Sequence, residues 1–105
     1  MLIRIVRMTF RPDGVEAFLN IFHRSKDKIR AFEGCLHLEL LRDLDNPTIF
    51  TTYSHWIGPG ALASYRQSDL FGTTWAATKA LFAEKPLAFS SERLLQVEVA
   101  NDQAH

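Results

Sequence analysis

Apolar and polar residues change their spacing several times along the chain, and each change marks a predicted element. Residues 2–10 are mostly apolar or β-branched and are followed by the turn signal Arg11-Pro12-Asp13-Gly14, which predicts a first strand. Apolar residues then recur near the 3.6-residue period of an amphipathic helix: Val15, Phe18, Leu19, Phe22, Ile29 and Phe32. Asp13 and Glu16 have the spacing of a capping box at the start of this helix, and Gly34 is expected to stop it.

The rest of the chain predicts two strands, an interrupted helix and a last strand. Residues 35–43 and 48–56 should pair as strands, because the Asn-Pro sequence between them breaks regular structure. A helical region to about Ala83 should break near Ser68, which can cap the second segment. Residues 88–99 supply the last strand, and residues 100–105 should be a frayed tail. The order is that of a split-βαβ, ferredoxin-like α+β domain, βαββαβ.

Composition limits the classes of protein to which the chain can belong. Its 105 residues suit one domain. The 12 Lys and Arg residues balance 12 Asp and Glu, and this zero net charge disfavours a nucleic-acid binder or an electrostatic membrane anchor. No run of about 18 apolar residues is present to span a bilayer. The N-terminus lacks the apolar core of a signal peptide, and the single cysteine excludes an internal disulfide, so we expect a cytoplasmic protein. Eight Phe, two Tyr and two Trp in so small a domain favour a homodimer that buries them.

Four segments together resemble the antibiotic biosynthesis monooxygenase superfamily: Glu33-Gly34-Cys35-Leu36, Glu39-Leu40-Leu41-Arg42-Asp43, Tyr53-Ser54-His55-Trp56 and Ser68-Asp69-Leu70-Phe71. The resemblance covers about residues 2–95 of a single domain, 1–105. It implies an antiparallel sheet with helices on one face, a pocket between them, and two protomers joined as a dimeric α+β barrel. Members of the superfamily differ in their chemistry, so this fold alone does not determine the function.

The resemblance separates two branches of the superfamily. Haem-degrading members carry an Asn on the first strand and a Trp and a His on the second helix, positions that correspond here to Val6, Tyr65 and Trp75. Without that imidazole, haem iron has no axial ligand at this point, so haem degradation is not expected. Quinol-type oxygenases carry a Trp on the third strand, which Trp56 matches, while their nearby Asn corresponds to Thr52 and their helix Tyr to Leu62. The implied activity is therefore a monooxygenase with no flavin, haem or metal cofactor.

An aromatic pocket is predicted under the helices. Strand alternation and the resemblance together give its strand-side residues: Val6, Met8, Phe50, Thr52, Ser54 and Trp56. The helix side would contribute Tyr65, Phe71, Trp75 and Phe82. Such a pocket suits a small aromatic or quinol-type substrate, with Trp56, Tyr65 and Thr52 as candidate catalytic groups that stabilise an oxyanion while O2 reacts.

Two alternatives to this oxygenase stay open. The same side chains could fill a solid core, since aromatic stripes at helical spacing usually pack. The protein could also be a non-catalytic dimeric ligand binder, or an enzyme of unrelated activity on the same scaffold, and the sequence does not identify a substrate. Arg66 lies near the expected pocket mouth, where it could attract an anionic ligand.

A second group of side chains is expected on the opposite face of the sheet. Tight pairing of the second and third strands would place His37 across from His55 and Glu39 across from Tyr53. One His could act as a general base, but two His make an incomplete zinc site, so no metal is expected. Hydrogen bonds at an interface between two copies explain the group more simply. Cys35 is expected to be a small buried side chain rather than a nucleophile.

Overall fold

A computed structural model describes residues 1–100 of the chain. Its elements are β1 (Leu2–Thr9), a 3-10 turn (Pro12–Gly14), α1 (Val15–Arg30), β2 (Cys35–Arg42), β3 (Ile49–Trp56), α2 (Pro59–Arg66), α3 (Asp69–Lys79) and β4 (Leu87–Glu92). The four strands form one antiparallel sheet in the order β2-β3-β1-β4. This topology confirms the predicted ferredoxin-like α+β fold. None of the helices within residues 1–100 combines the length and apolar character needed to cross a membrane.

One core cluster has Phe10 at its centre. Side chains alternate along β1, so its even-numbered residues face the helices, and Phe10 just beyond the strand faces the same way. Phe10 is 1% exposed and stacks on Phe18 of α1, with the ring centroids 4.2 Å apart. Phe50 of β3 closes the cluster at 5.4 Å from Phe18, and Phe82 packs at 5.4 Å from Phe10. Each such ring contributes about 1.5–3 kcal/mol on burial. These contacts fix α1 and the chain after α3 to one end of the sheet.

A second core cluster lies at the other end of β3, around Trp56. The indole is 1% exposed and packs with Cys35 and Leu62. Burial raises the pKa of the Cys35 thiol, which therefore stays protonated, as expected for a small buried side chain. This cluster holds α2 against the sheet.

The predicted capping box at the start of α1 is wrong. Residues 12–14 form a 3-10 turn, and α1 begins with Gly14 as its N-cap and no side-chain capping bond. Asp13 instead lies 3.4 Å from Arg11, measured between its Oδ1 and the arginine Nε. The extra turn moves the helix start past Asp13, so its spacing to Glu16 no longer matches a cap. At α3 the prediction is confirmed, because the Ser68 hydroxyl accepts a hydrogen bond from the Phe71 amide at 3.1 Å.

Several predicted boundaries also move. The helix α1 ends at Arg30, and Gly34, with a φ of 90°, instead forms the turn into β2. The last strand ends at Glu92, and residues 93–100 continue outside any ladder. Just after β4, the Arg93 amide donates a hydrogen bond to the Met1 carbonyl at 3.2 Å. Of the predicted tail 100–105, residues 101–105 lie outside the described part of the chain.

Candidate functional site

A cavity of about 380 Å³ lies between the helices and the sheet. This volume falls in the lower part of the range of small-molecule sites, about 300–1,000 Å³. The strands and the start of the helical layer contribute Arg4, Val6, Met8, Phe18, Phe22, Ile29, Leu38, Thr52, Ser54, Trp56 and Ala88. The later helices contribute Leu62, Tyr65, Arg66, Phe71, Thr74, Trp75 and Thr78. The wall is mostly apolar and aromatic, with a few hydroxyl groups.

Seven of the nine predicted site residues line this cavity: Val6, Thr52, Ser54, Trp56, Tyr65, Phe71 and Trp75. The other two, Phe50 and Phe82, pack in the core cluster around Phe10 and do not reach the cavity wall. Phe50 lies on the predicted face of β3, but Phe82 follows the end of α3 at Lys79 instead of lying on that helix, and it pairs with Phe10. The binding and catalytic roles assigned to the seven lining residues stay predictions.

The indole N–H of Trp56 is already used inside the protein. It donates a hydrogen bond of 3.0 Å to the Oγ of Ser54, and both side chains are buried. In this geometry Trp56 forms a rigid wall, and its N–H does not point to an oxyanion. The Ser54 hydroxyl accepts that bond and retains its own proton, so Ser54 has a donor to offer to the cavity.

Tyr65 on α2 is held between rings. It stacks on Trp56 with centroids 5.1 Å apart and meets Phe71 edge-on at 5.2 Å. Burial, with a smaller contribution from Cys35, raises the pKa of Tyr65 to about 12. Tyr65 is therefore a neutral hydrogen-bond donor at physiological pH and does not act as a base.

The cavity wall offers donors but no general base. Among the described residues that line it there is no His, Cys, Asp or Glu. Thr52 and Ser54 carry hydroxyls, which are not basic at neutral pH. The wall likewise presents no imidazole or thiolate as an axial ligand for haem iron. The described part of this wall therefore places no carboxylate or imidazole beside a ligand.

Arg4, which the sequence analysis did not single out, lies in the wall of this cavity. It occupies the same face of β1 as Val6 and Met8, and its cross-strand neighbours are Ser54 on β3 and Ser90 on β4. The sequence could have indicated this position, because Arg4 is a charged residue on the strand face that Val6 and Met8 otherwise make apolar.

The predicted pairing on the opposite face of the sheet is confirmed. We call this face, which the helices leave uncovered, the outer sheet face: Ile3, Ile5, Arg7, His37, Glu39, Leu41, Thr51, Tyr53, His55, Leu87, Phe89 and Ser91. His37 pairs with His55 and Glu39 with Tyr53, and the His37 Nε2 lies 3.3 Å from a Glu39 carboxylate oxygen. No group of three or more His, Cys, Asp or Glu within residues 1–100 is placed to hold a metal ion.

His55 stands out in this group. Its Nε2 is buried and has no hydrogen-bond partner among the described residues. Burial, and then the nearby His37 and Arg93, lower the pKa of His55, while Glu39 opposes them. The imidazole is therefore neutral at physiological pH. It lies on the outer sheet face, so it cannot act as the missing base of the cavity.

Comparisons with known proteins agree with this architecture. The family model described as antibiotic biosynthesis monooxygenase matches residues 1–77. A crystal structure of an antibiotic biosynthesis monooxygenase superposes with a TM-score of 0.85 at 19% identity, covering 90% of this chain and 100% of that chain. A protein of Mycobacterium tuberculosis superposes with a TM-score of 0.84 at 20% identity, covering 92% of this chain and 98% of that chain.

A conserved protein of Methanosarcina mazei Go1 is also similar, with a TM-score of 0.82 at 23% identity over 87% of this chain and 91% of that chain. Comparison with curated proteins finds no significant match. At these identities the solved structures show a shared fold, while the family model covers well over half of the sequence. The chain therefore belongs to the antibiotic biosynthesis monooxygenase family.

Proposed function

We propose that the protein is a monooxygenase that oxidises a small aromatic or quinol-type substrate with O2, without flavin, haem or metal. The observation that supports this most directly is the aromatic cavity with hydroxyl donors in its wall, Tyr65 and Ser54 among them. Within residues 1–100 the Tyr65 hydroxyl has no protein hydrogen-bond partner, so it is free to donate to a ligand oxygen. Fixed donors in a water-poor site stabilise a developing oxyanion strongly.

The reaction balances with the substrate as the only electron donor. A phenol loses its proton to solvent, and the electron-rich ring transfers electrons to O2 and forms a carbon–oxygen bond to it. The O–O bond then breaks as water leaves, so that one oxygen atom enters the ring as a quinone carbonyl and the other becomes water. For phenol itself the sum is phenol + O2 → benzoquinone + water. Because the substrate supplies all four electrons, no external reductant is required.

The proposal is tested by O2 uptake with a panel of naphthols and hydroquinones. We expect one O2 consumed per quinone formed from a phenol, with one labelled atom incorporated from ¹⁸O2. Tyr65→Phe should lower kcat by roughly 100-fold, the effect of removing one oxyanion donor. Ser64→Ala is the control, because Ser64 is exposed on α2 and does not line the cavity. Equal losses in both variants, or no O2 uptake by the unmodified protein, would contradict the proposal.

The second candidate is a dimeric ligand-binding protein without catalytic activity. The observation in its favour is the lack of a titratable base among the described residues of the cavity wall. Under this hypothesis the same naphthols bind and quench the fluorescence of Trp75, which lines the cavity, but O2 consumption does not exceed that of the free compounds.

We further propose that the working unit is a homodimer in which a second copy covers the outer sheet face. That face carries apolar residues such as Leu87 and Phe89, which are 59% and 43% exposed. Beyond β4 the chain continues past the edge of its own sheet with four highly exposed apolar residues: Leu94, Leu95, Val97 and Val99. Burying each of them against a partner would contribute up to about 1.5–3 kcal/mol. Exposed apolar patches of this kind typically mark protein interfaces.

Sedimentation measurements on matched variants test the homodimer. Val97→Asp places a charge in the extended segment and should shift the protein from dimer to monomer. Leu44→Asp is the control, since Leu44 is 97% exposed in the loop between β2 and β3. A monomeric unmodified protein, or a dimer that tolerates Val97→Asp as well as Leu44→Asp, would contradict this arrangement. A cytoplasmic location, and the absence of nucleic-acid and membrane partners, stay predictions from the sequence.

A further inference from the structure

Two arginines are the charged side chains of the cavity wall among the described residues. Arg4 extends from the middle of the sheet, and Arg66 is the last residue of α2. Arg4 is half-buried while Arg66 is exposed, so the pair runs from the wall of the cavity to the place where it meets solvent. The rest of the wall is apolar, aromatic or hydroxyl-bearing.

Neither guanidinium has a carboxylate partner within residues 1–100. In contrast, Arg7 lies 3.8 Å from Asp43, and Arg11 lies 3.4 Å from Asp13. Arg4 donates its side-chain hydrogen bond to a neutral group, the Ser90 hydroxyl, at 3.1 Å. That bond positions the side chain but leaves its charge uncompensated.

The surroundings of Arg4 disfavour its charge. Burial, and then repulsion from Arg66, lower the pKa of Arg4, although an arginine stays protonated in proteins. The half-buried cation of Arg4 costs free energy that a bound anion would recover. An unpaired pair of this kind therefore indicates the charge of the ligand that fits beside it.

We propose that Arg4 and Arg66 form an anion site that selects planar aromatic ligands ionised at a ring oxygen, a phenolate or enolate. The inference rests on the proposed function, because it assumes that the cavity accepts an aromatic ligand. The two arginines would allow a ligand to ionise in a wall without a base: their charges stabilise the phenolate, and solvent takes the proton. A cation within about 4–6 Å lowers the pKa of an acid by about 1–3.

The test uses 4-nitrophenol, whose phenolate absorbs visible light, titrated with pH in the presence of saturating protein. The pKa of the bound phenol should lie about 1–3 below that of the free phenol. Arg4→Gln should abolish this difference, Arg66→Gln should reduce it, and Arg4→Lys should retain part of it because the charge remains. Arg24→Gln is the control, since Arg24 is exposed on α1 and does not line this cavity.

The neutral analogue 4-nitroanisole separates this inference from the proposed function. It should bind the unmodified protein more weakly than 4-nitrophenolate, and Arg4→Gln should leave its affinity unchanged. If both compounds bind and the pKa of 4-nitrophenol does not change, the anion site is refuted while the aromatic cavity survives. If neither compound binds, the aromatic cavity and the proposed function fail together.

Discussion

Replacing Ser54 with alanine removes the oxygen that accepts the indole N–H of Trp56. The bond is 3.0 Å long, and Trp56 is 1% exposed, so its indole N–H depends on this oxygen for a partner. A buried donor left without a partner costs about 1–3 kcal/mol. Trp56→Phe removes the donor and also leaves a cavity, for a cost approaching the roughly 3–5 kcal/mol of large aromatic truncations. The double variant no longer has an unpaired N–H, so it should be less destabilised than the sum of the two single changes.

Urea unfolding of the four proteins at one fixed protein concentration measures this coupling, because each midpoint shift at constant slope gives a change in free energy. We expect a coupling of about 1–2 kcal/mol between the two positions. Ser64→Ala, at an exposed position of α2, should couple to Trp56→Phe by less than about 0.5 kcal/mol. If the Ser54 coupling is as small as that of Ser64, the indole N–H is not held by Ser54. Trp56 would then be available again as an oxyanion donor.

Two further predictions concern the turn into β2 and the outer sheet face. Gly34→Ala should destabilise the protein by more than about 2 kcal/mol in urea, because φ is 90° and the new Cβ would lie 2.4 Å from the Ala61 Cβ. Gly72→Ala, with open space in α3, should stabilise it by about 0.5–1 kcal/mol, and a similar effect at both glycines would refute the turn geometry. Since the folded state lowers the pKa of His55, the unfolded chain binds a proton first, and the free energy of unfolding should fall as pH drops below about 6.5. His55→Gln should flatten this fall, and an unchanged slope in His55→Gln would contradict the assignment.

The sequence predicted those features that depend on local alternation and on short connections. The pairing of His37 with His55 follows from a tight hairpin, because a shift of one residue would turn every side chain of β2 to the other face. Ser68 caps α3 because a serine before an apolar helical pattern satisfies one free amide of the first turn. In both cases the physical cause acts within a few residues, so one sequence is enough.

Features that depend on distance along an element could not be predicted in this way. Phe50 and Trp56 share one face of β3, but six residues of strand separate them by about 20 Å. Alternation therefore identified the correct face and could not say that Phe50 lies at the packed end. The start of α1 failed for a related reason, because Asp13 can either cap a helix or sit in the 3-10 turn before it. In the structure Asp13 lies in the 3-10 turn, and the next residue, Gly14, packs against Leu81, which is far along the chain.

The two ends of the sheet are packed differently, one solid and the other with a cavity beside it. At one end Phe10, Phe18 and Phe50 are each at most 3% exposed and fill the space between sheet and helices. At the other end the rings of Trp56 and Tyr65 stack on each other and leave the cavity beside them. Phe18 also lines the cavity, so the packed end supports one wall of the site. The described residues of the cavity wall hold no group that removes a proton at neutral pH, so the oxidation we propose needs a substrate whose own acidity and electrons drive the reaction.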